Sequence, residues 1–315
     1  MRFGECPVTV LMAVHNGGPY LRTAIDSILQ QTYRDFRFLI VDDASTDDTR
    51  EIVGSYTDER IELLSLDVNV GQPEALNQGL HHASTRWIAR MDADDYSAPT
   101  RFEEQMQVLA EDPSIFCLGT YAWIFRDDPS VSEGEIATPL CHSEISQVVA
   151  GSPIIHGTII VDREALLDVG AYDRHFRILA DVEMYDRFLP KYKTVAIPRQ
   201  LLGVRRHPGQ YSNSSAAFDE SIEISSGRLA RKDYSLSQKA GIRANLARNH
   251  LLRARFWVGR RRLAKAWADV MSAFRLSPKR FVLGFFTVFI VYNLNEPTRG
   301  RIKRLLKRTT TTIGS

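Results

Sequence analysis

The chain has 315 residues, 44% hydrophobic and 25% charged, an ordinary globular mixture that excludes wholesale disorder and collagen-like repeats and leaves room for about two domains. Three cysteines (Cys6, Cys117 and Cys141) without a CxxC spacing argue against a disulfide scaffold or structural zinc and for a reducing compartment. The formal net charge of +2 hides a split: residues 1–220 carry 19 Lys and Arg against 34 Asp and Glu, while residues 221–315 carry 21 against 4. Such asymmetry predicts an acidic functional body joined to a basic arm suited to an anionic surface. The opening MRFGECPV holds no apolar run of the kind a cleaved export signal needs.

In chain order, Val8–Val14 is an apolar, β-branched run, the pattern of a strand buried on both faces of a parallel sheet. It breaks at His15-Asn16-Gly17-Gly18-Pro19, and from Tyr20 a helical stripe follows through Leu21, Ile25, Ile28 and Leu29. Phe36–Val41 is a second strand, ending in Asp42-Asp43 and a loop where Ser45 or Thr46 can cap the next helix. Ile61–Leu66 reads as a third strand. Gly71-Gln72-Pro73 opens a helix through Leu80, and Trp87–Met91 is a fourth strand before Asp92-Ala93-Asp94-Asp95. Strands alternating with helices predict right-handed βαβ units in a mostly parallel sheet, whose ligands sit outside the carboxyl ends of the strands. The polar residues gather at those ends.

Three acids in four residues are costly unless something positive sits among them. A hard ion such as Mg²⁺ or Mn²⁺ accepts one or two carboxylates and completes its shell with phosphate oxygens and water. The plain alternative is a solvated turn capping the helix at Thr100. Asp42 at the tip of the second strand is suited to a nucleobase or ribose contact, as an acid there reads ribose in dinucleotide folds. Asp43 is left open, and Asp47 and Asp48 are expected only to cap.

The ordered series VTVLMAVHNGGPYLRTAIDSILQQTYRDFRFLIVDDASTDDT, NVGQPEALNQGL and IARMDADD resembles glycosyltransferase family 2, densely over about the first 110 residues and more thinly to about residue 215. The resemblance implies a GT-A fold: a Rossmann-like, mostly parallel sheet flanked by helices, over residues 1–220, with a C-terminal helical basic extension over 221–315. Within the catalytic part, about 1–110 would bind the nucleotide sugar and about 111–220 would form the acceptor side. It implies that Ala13 and His15 line the nucleobase pocket, that Asp42 binds the base, that Asp92 contacts ribose or the metal-bound diphosphate, and that Asp94 ligates Mn²⁺ or Mg²⁺, with Asp95 as an alternative ligand. Gly170-Ala171-Tyr172-Asp173 resembles the family's GGYD turn. Asp181 matches the Asp that serves as general base, although Ala180 replaces the Glu that usually precedes it, which raises the question whether Glu183 compensates. His207, in Arg205-Arg206-His207-Pro208-Gly209, would complete the metal shell or touch the diphosphate; His156 resembles an acceptor-side loop residue, and His81 and His82 have no assigned role.

The chemistry implied is single displacement with inversion. The ion offsets charge on the departing diphosphate, and Asp181 takes the proton of an acceptor hydroxyl. The donor is a nucleoside diphosphate sugar, with a UDP-sugar favoured; the acceptor is a glycan, a lipid-linked sugar or a polymer. No Q-x-x-R-W segment of the family's processive synthases follows, so one sugar is expected per encounter. Metal-dependent phosphoryl transfer or nucleotide hydrolysis is the competing enzyme class, but it lacks its GxxxxGK[ST] loop. A non-catalytic membrane-associated module is the other alternative.

In the basic arm, Leu263, Trp267, Val270 or Met271, and Phe274 recur at helical spacing and are read as packing. Phe281–Tyr292 is apolar on every face, but twelve helical residues span about 18 Å against about 30 Å of bilayer core. The cations Arg275, Lys279, Arg280, Arg299, Arg301, Lys303, Arg304, Lys307 and Arg308 flank it, which fits an interfacial anchor on an anionic membrane; a buried helix is the alternative. The expected location is cytoplasmic, peripheral on the inner face of the cell membrane. No nucleic-acid motif accompanies the charge, and a homo-oligomer is left open.

Overall fold

The computed structural model of the chain describes residues 8–148, 152–209, 215–232 and 234–278. By its contacts the chain divides after Gln210.

The first unit begins as the βαβ pattern predicts. Strands β1 (Val8–Val14), β2 (Phe36–Asp42), β3 (Ile61–Ser65) and β4 (Trp87–Met91) form a parallel array in the order β3-β2-β1-β4. Helix α1 (Gly18–Leu29) starts with Pro19 in its first turn, where a missing N–H costs nothing, and buries Leu21, Ala24, Ile25 and Ile28. These pack with Val10, Met12, Phe36, Phe38 and Ile40 in one core; Phe102 and Leu109, of helix α4 (Arg101–Glu111), join the same cluster. The short α2 (Thr49–Gly54) follows β2. The other face of β1 and β2 is covered by α3 (Gln72–His82), whose Gly79 lies so close to Leu11 and Val41 that an added Cβ would stand 2.3 Å from Leu11 Cδ1.

Beyond β4 the pairing becomes mixed. Strand β8 (Ile160–Asp162) runs antiparallel to β4, β6 (Cys117–Phe125) antiparallel to β8, and β9 (Thr194–Arg205) parallel to β6; the two-residue β5 (Tyr96–Ser97) and β7 (Gly134–Ile136) complete nine strands. The parallel character inferred from the sequence thus belongs to the first four strands. The later strands are laid against them in both directions, with the short helices α5 (His142–Ile145) and α6 (Arg163–Asp168) between them in the chain. Their arrangement returns Arg205, at the end of β9, to the loop after β4.

The second unit contains α8 (Ser215–Ala230), α9 (Leu236–Gly259) and α10 (Leu263–Leu276). A reciprocal capping box between Ser235 and Gln238 starts α9. The contact between α9 and α10 is narrow and partly ionic. Ala247, Leu251 and Ala273 form its apolar centre, and buried Asp269 accepts from His250 Nδ1 (2.8 Å) and from Arg253 (2.6 and 3.0 Å).

That interface corrects the expected packing of the α10 stripe. Small residues and one carboxylate, Ala266, Asp269 and Ala273, face inward, whereas Leu263, Trp267 and Phe274 are 67%, 66% and 47% exposed. Val270 is half-buried and packs against the apolar centre, as expected, and Met271 is half-buried. No described helix is long and apolar enough to cross a membrane. The apolar segment 281–292 and the cations from Lys279 onward lie outside the described residues, as does Cys6.

Candidate active site

Parallel pairing in register brings three loops together. Val14 lies opposite Asp42 and Met12 opposite Met91, so β1, β2 and β4 end side by side. His15 Nδ1 lies 2.7 Å from the Asp43 carbonyl oxygen. Asn16, held at φ 55°, uses its side-chain oxygen to accept from the Thr46 N–H (2.8 Å), and its own N–H donates to Ser45 Oγ (2.9 Å). Ser45 and Thr46 therefore tie two strand-end loops together; the residue that precedes α2 is Asp48.

The pleat separates the two adjacent acids, because paired residues share a face and neighbours in a strand do not. Asp42 shares the face of Val14, towards α1. Its carboxylate has no exposure, accepts from the Ser45 N–H (3.0 Å) and pairs with Arg50. Ala13 pairs with Val41 on the opposite face. Beyond the strand, the Asp43 carboxylate accepts from the N–H groups of Val70 (2.7 Å) and Gly71 (2.8 Å). Gly71 stands at φ 90°, a left-handed conformation that glycine adopts without strain. Asp42, expected beside Ala13 and His15, thus lies on the other side of the sheet from Ala13.

The acids after β4 divide their roles. Asp95 is buried and accepts the Arg205 N–H (3.0 Å); Arg205 Nε donates to the Asp94 carbonyl (2.9 Å). Its guanidinium lies 4.8 Å from the Tyr20 ring centroid and 4.5 Å from that of Phe125. Asp94 Oδ2 lies 2.9 Å from His207 Nε2, and the His207 ring packs on Tyr20 at 4.6 Å. Asp92 pairs with Arg90. Burial, reinforced by the charge on Asp92, raises the Asp94 carboxyl above its ordinary value, and His207 opposes the rise. The same causes, with Asp94 added, push Asp95 well above.

This donor set fits a hard divalent ion. Burial and like charge hold Asp94 up, a condition a cation relieves, and its carboxylate, with water and phosphate oxygens, suits Mg²⁺ or Mn²⁺; His207 stands 2.9 Å from it. No group of three His, Cys, Asp or Glu side chains among the described residues is gathered for a metal. Two protein donors would leave positions for phosphate oxygens and water.

Arg90 connects the acids to the acceptor side. It is buried, its field acts on Asp92, Tyr172, Asp95 and Asp181, and its Nε has no hydrogen-bond partner. Half-buried Asp181 opens α7 (Ala180–Phe188). Burial raises its carboxyl, while hydrogen bonds from the Val182 N–H and Ser152 and the charge on Arg90 pull it down. His156 Nε2 meets the Tyr172 hydroxyl at 2.8 Å, and burial, with Arg90 adding to it, drives His156 well below the usual imidazole value. Glu183 is occupied elsewhere: it pairs with Arg187, which also donates to the carbonyls of Val169 and Ala171 around the Gly170-Ala171 turn. Compensation for the missing acid at Ala180 therefore does not come from a free Glu183.

Arg90 escaped the sequence reading, its only sign a cation inside the otherwise apolar strand WIARM; Tyr172 and Arg205 entered it as members of quoted motifs, without roles of their own.

A parallel β3-β2-β1-β4 array with acids at its carboxyl edge, continued by strands of mixed direction and flanked by helices, is a GT-A fold. The family model described as Glycosyl transferase family 2 matches residues 9–165. Putative glycosyltransferase EpsE of Bacillus subtilis is 30% identical over 249 residues, covering 75% of this chain and 88% of that protein. The chain belongs to glycosyltransferase family 2 and is a glycosyltransferase. The Escherichia coli protein WfgD, named a UDP-Glc:alpha-D-GlcNAc-diphosphoundecaprenol beta-1,3-glucosyltransferase, is 34% identical over 114 residues, 36% of this chain and 45% of its own length. In fold, the chain is similar to S. aureus TarS 1–349 in complex with UDP-GlcNAc (TM-score 0.65, 15% identity, 90% of this chain and 91% of that one). It also resembles the mannosyltransferase PcManGT from Pyrobaculum calidifontis in complex with GDP-Man and Mn²⁺ (TM-score 0.60, 19% identity, 93% and 82%).

Proposed function

We propose that the protein transfers one hexosyl unit per encounter from a nucleoside diphosphate sugar, with a UDP-sugar favoured, to a hydroxyl of a lipid-linked glycan, with inversion at the anomeric carbon. The carrying observation is the buried Arg90, which pairs with Asp92 just after β4 and whose charge also acts on Asp181. Similarity to WfgD favours the lipid-linked acceptor, and a carrier of that kind calls for work at the cytoplasmic face of a membrane.

Asp94 and His207 would hold Mn²⁺ or Mg²⁺, with Asp95 the alternative ligand; family membership and the Mn²⁺ of PcManGT favour such an ion. Bound there, it would supply Lewis-acid stabilisation of the departing diphosphate. Ala13 and His15 would line the nucleobase pocket. Asp42, paired with Arg50 on the other face of the sheet, would not join them at the base, and Asp92 would orient ribose or the metal-bound diphosphate. Arg90 would keep Asp181 ionised against burial.

The acceptor oxygen bonds to the anomeric carbon as the bond from that carbon to the diphosphate oxygen breaks. The hydroxyl proton passes to the Asp181 carboxylate, and the electron pair of the broken bond leaves on the diphosphate. The transition state has oxocarbenium character.

Asp181→Asn tests this. Loss of a general base costs about 10²–10⁴ in rate, so transfer should fall by that factor while donor binding, measured by calorimetry, persists. Unimpaired transfer would refute Asp181 as base.

A further inference from the structure

Helix α10 turns its bulkiest apolar side chains, Leu263, Trp267 and Phe274, outward. On α10, at about 100° per residue, Leu263, Trp267 and Phe274 fall within about 40° of one another around the axis, forming one ridge. The side facing α9 holds Ala266, Asp269 and Ala273, with Val270 and Leu276 packed beside them, and the Asp269–His250–Arg253 network fixes that orientation. The corner before α10 continues the ridge. Val258 is 42% exposed, Arg260 stacks over Phe256 at 3.6 Å, and Lys265 Nζ lies 4.8 Å over Trp257.

The charge around this ridge has one sign. Arg260, Arg261, Arg262, Lys265 and Arg275 are exposed, and Asp269, the single acid between Gly259 and Leu276, is buried and paired. Among the described residues, an apolar ridge containing tryptophan, on a stretch from Gly259 to Leu276 whose exposed charges are all cationic, matches the interfacial layer of an anionic bilayer. Leucine and indole enter the acyl boundary there, while guanidinium and ammonium groups meet phosphates. At about 1.5 Å per residue, the fourteen residues of α10 extend about 21 Å, suited to lying in the surface plane.

We infer that the α9–α10 corner, with Leu263 and Trp267 as its inserting side chains, is a docking face for an anionic lipid surface. This deepens the reading of a membrane-borne acceptor by naming a contact element among the described residues, and its test does not depend on sugar transfer.

The full chain is floated with vesicles of phosphatidylcholine alone and of equal parts phosphatidylcholine and phosphatidylglycerol. Recovery is expected with the anionic vesicles only, reduced in high salt. Leu263→Ser with Trp267→Ser should lower the partition coefficient by at least about tenfold per side chain, with melting temperature unchanged because both side chains are exposed. Lys265→Glu with Arg275→Glu should abolish the preference for anionic vesicles. Transfer to a water-soluble acceptor should be unaffected in both variants, which separates a failure of docking from a failure of the catalytic proposal. Equal recovery of the serine variant and wild type would overturn the inference, as would no recovery of wild type. A wild-type dimer that the serine variant converts to monomer, without vesicle binding, would assign the ridge to a second copy of the chain and overturn it too.

Discussion

Replacing Arg90 by methionine removes the one buried cation that pairs with Asp92 and leaves its volume largely filled. Breaking one side of a buried ion pair costs about 3–5 kcal/mol. An independent bound comes from the carboxylates themselves. A carboxylate left without its cation can shed its charge by taking up a proton, and from an ordinary value of about 3.9 this costs at most about 4 kcal/mol at pH 7 and about 1.5 kcal/mol at pH 5, less where water reaches it, as it does the 29% exposed Asp92. The two figures agree near neutrality. Arg101, buried beneath the cluster and also acted on by Asp95 and Asp92, remains in the variant, so the larger value is a ceiling; burial lowers its pKa to about 9, which still leaves it charged at pH 7. For a unit of this size, about 4 kcal/mol lowers Tm by about 8–16 °C at pH 7, and about 1.5 kcal/mol lowers it by about 3–6 °C at pH 5. A group whose folded-state pKa lies above its unfolded value binds more protons when folded, so the variant is stabilised relative to wild type as the pH falls. Calorimetric Tm differences between wild type and Arg90→Met, taken in chelator from pH 7 to 5, are the assay. A difference that is absent, or that stays constant or grows on acidification, would refute the electrostatic account.

Asp181 must be ionised to act as base, and burial raises its carboxyl above 3.8, so kcat/KM should fall on acidification through a pKa above that value. In Arg90→Met the acid limb should move further up, because Arg90 is one of the groups that pull it down; a pH profile with a soluble acceptor checks both. Gly79→Ala should lose stability. Its Cβ would stand 2.3 Å from Leu11 Cδ1 and 3.0 Å from Val41 Cγ2, and overpacking of about 1–3 kcal/mol less the gain of about 1 kcal/mol in helix propensity leaves a net loss of up to about 2 kcal/mol. A Tm drop of about 2–4 °C per net kcal/mol is expected, and a rise would contradict the packing. Asp94→Asn should erase the extra thermal stabilisation that Mn²⁺ adds to UDP binding, about 2.7 kcal/mol when free ligand is a hundredfold above Kd. An undiminished Mn²⁺ increment would remove Asp94 from the metal site.

Much of the first unit was legible in the sequence because its signals are local. Val8–Val14 and Trp87–Met91 are strands with the predicted bounds, Thr100 precedes α4 as expected, and Pro73 lies in the first turn of α3. A continuous apolar run buried on both faces leaves few alternatives to a strand in a parallel sheet. That patterning also put the acids at strand ends, where ligands of such sheets are found.

Three-dimensional pairing decided the rest. Strand alternation assigns Asp42 and Asp43 to opposite faces, and only the register of Val14 with Asp42 says that Asp42 turns away from Ala13. His207 reaches Asp94 across 113 positions because β9 returns beside β5, a contact that no short-range pattern encodes. On α10, periodicity correctly grouped Leu263, Trp267 and Phe274, but a helix with two candidate faces is oriented by its partner. The buried Asp269 network sets the alanines inward and leaves the aromatic ridge outside. Sequence determines which residues share a face; packing determines what that face meets.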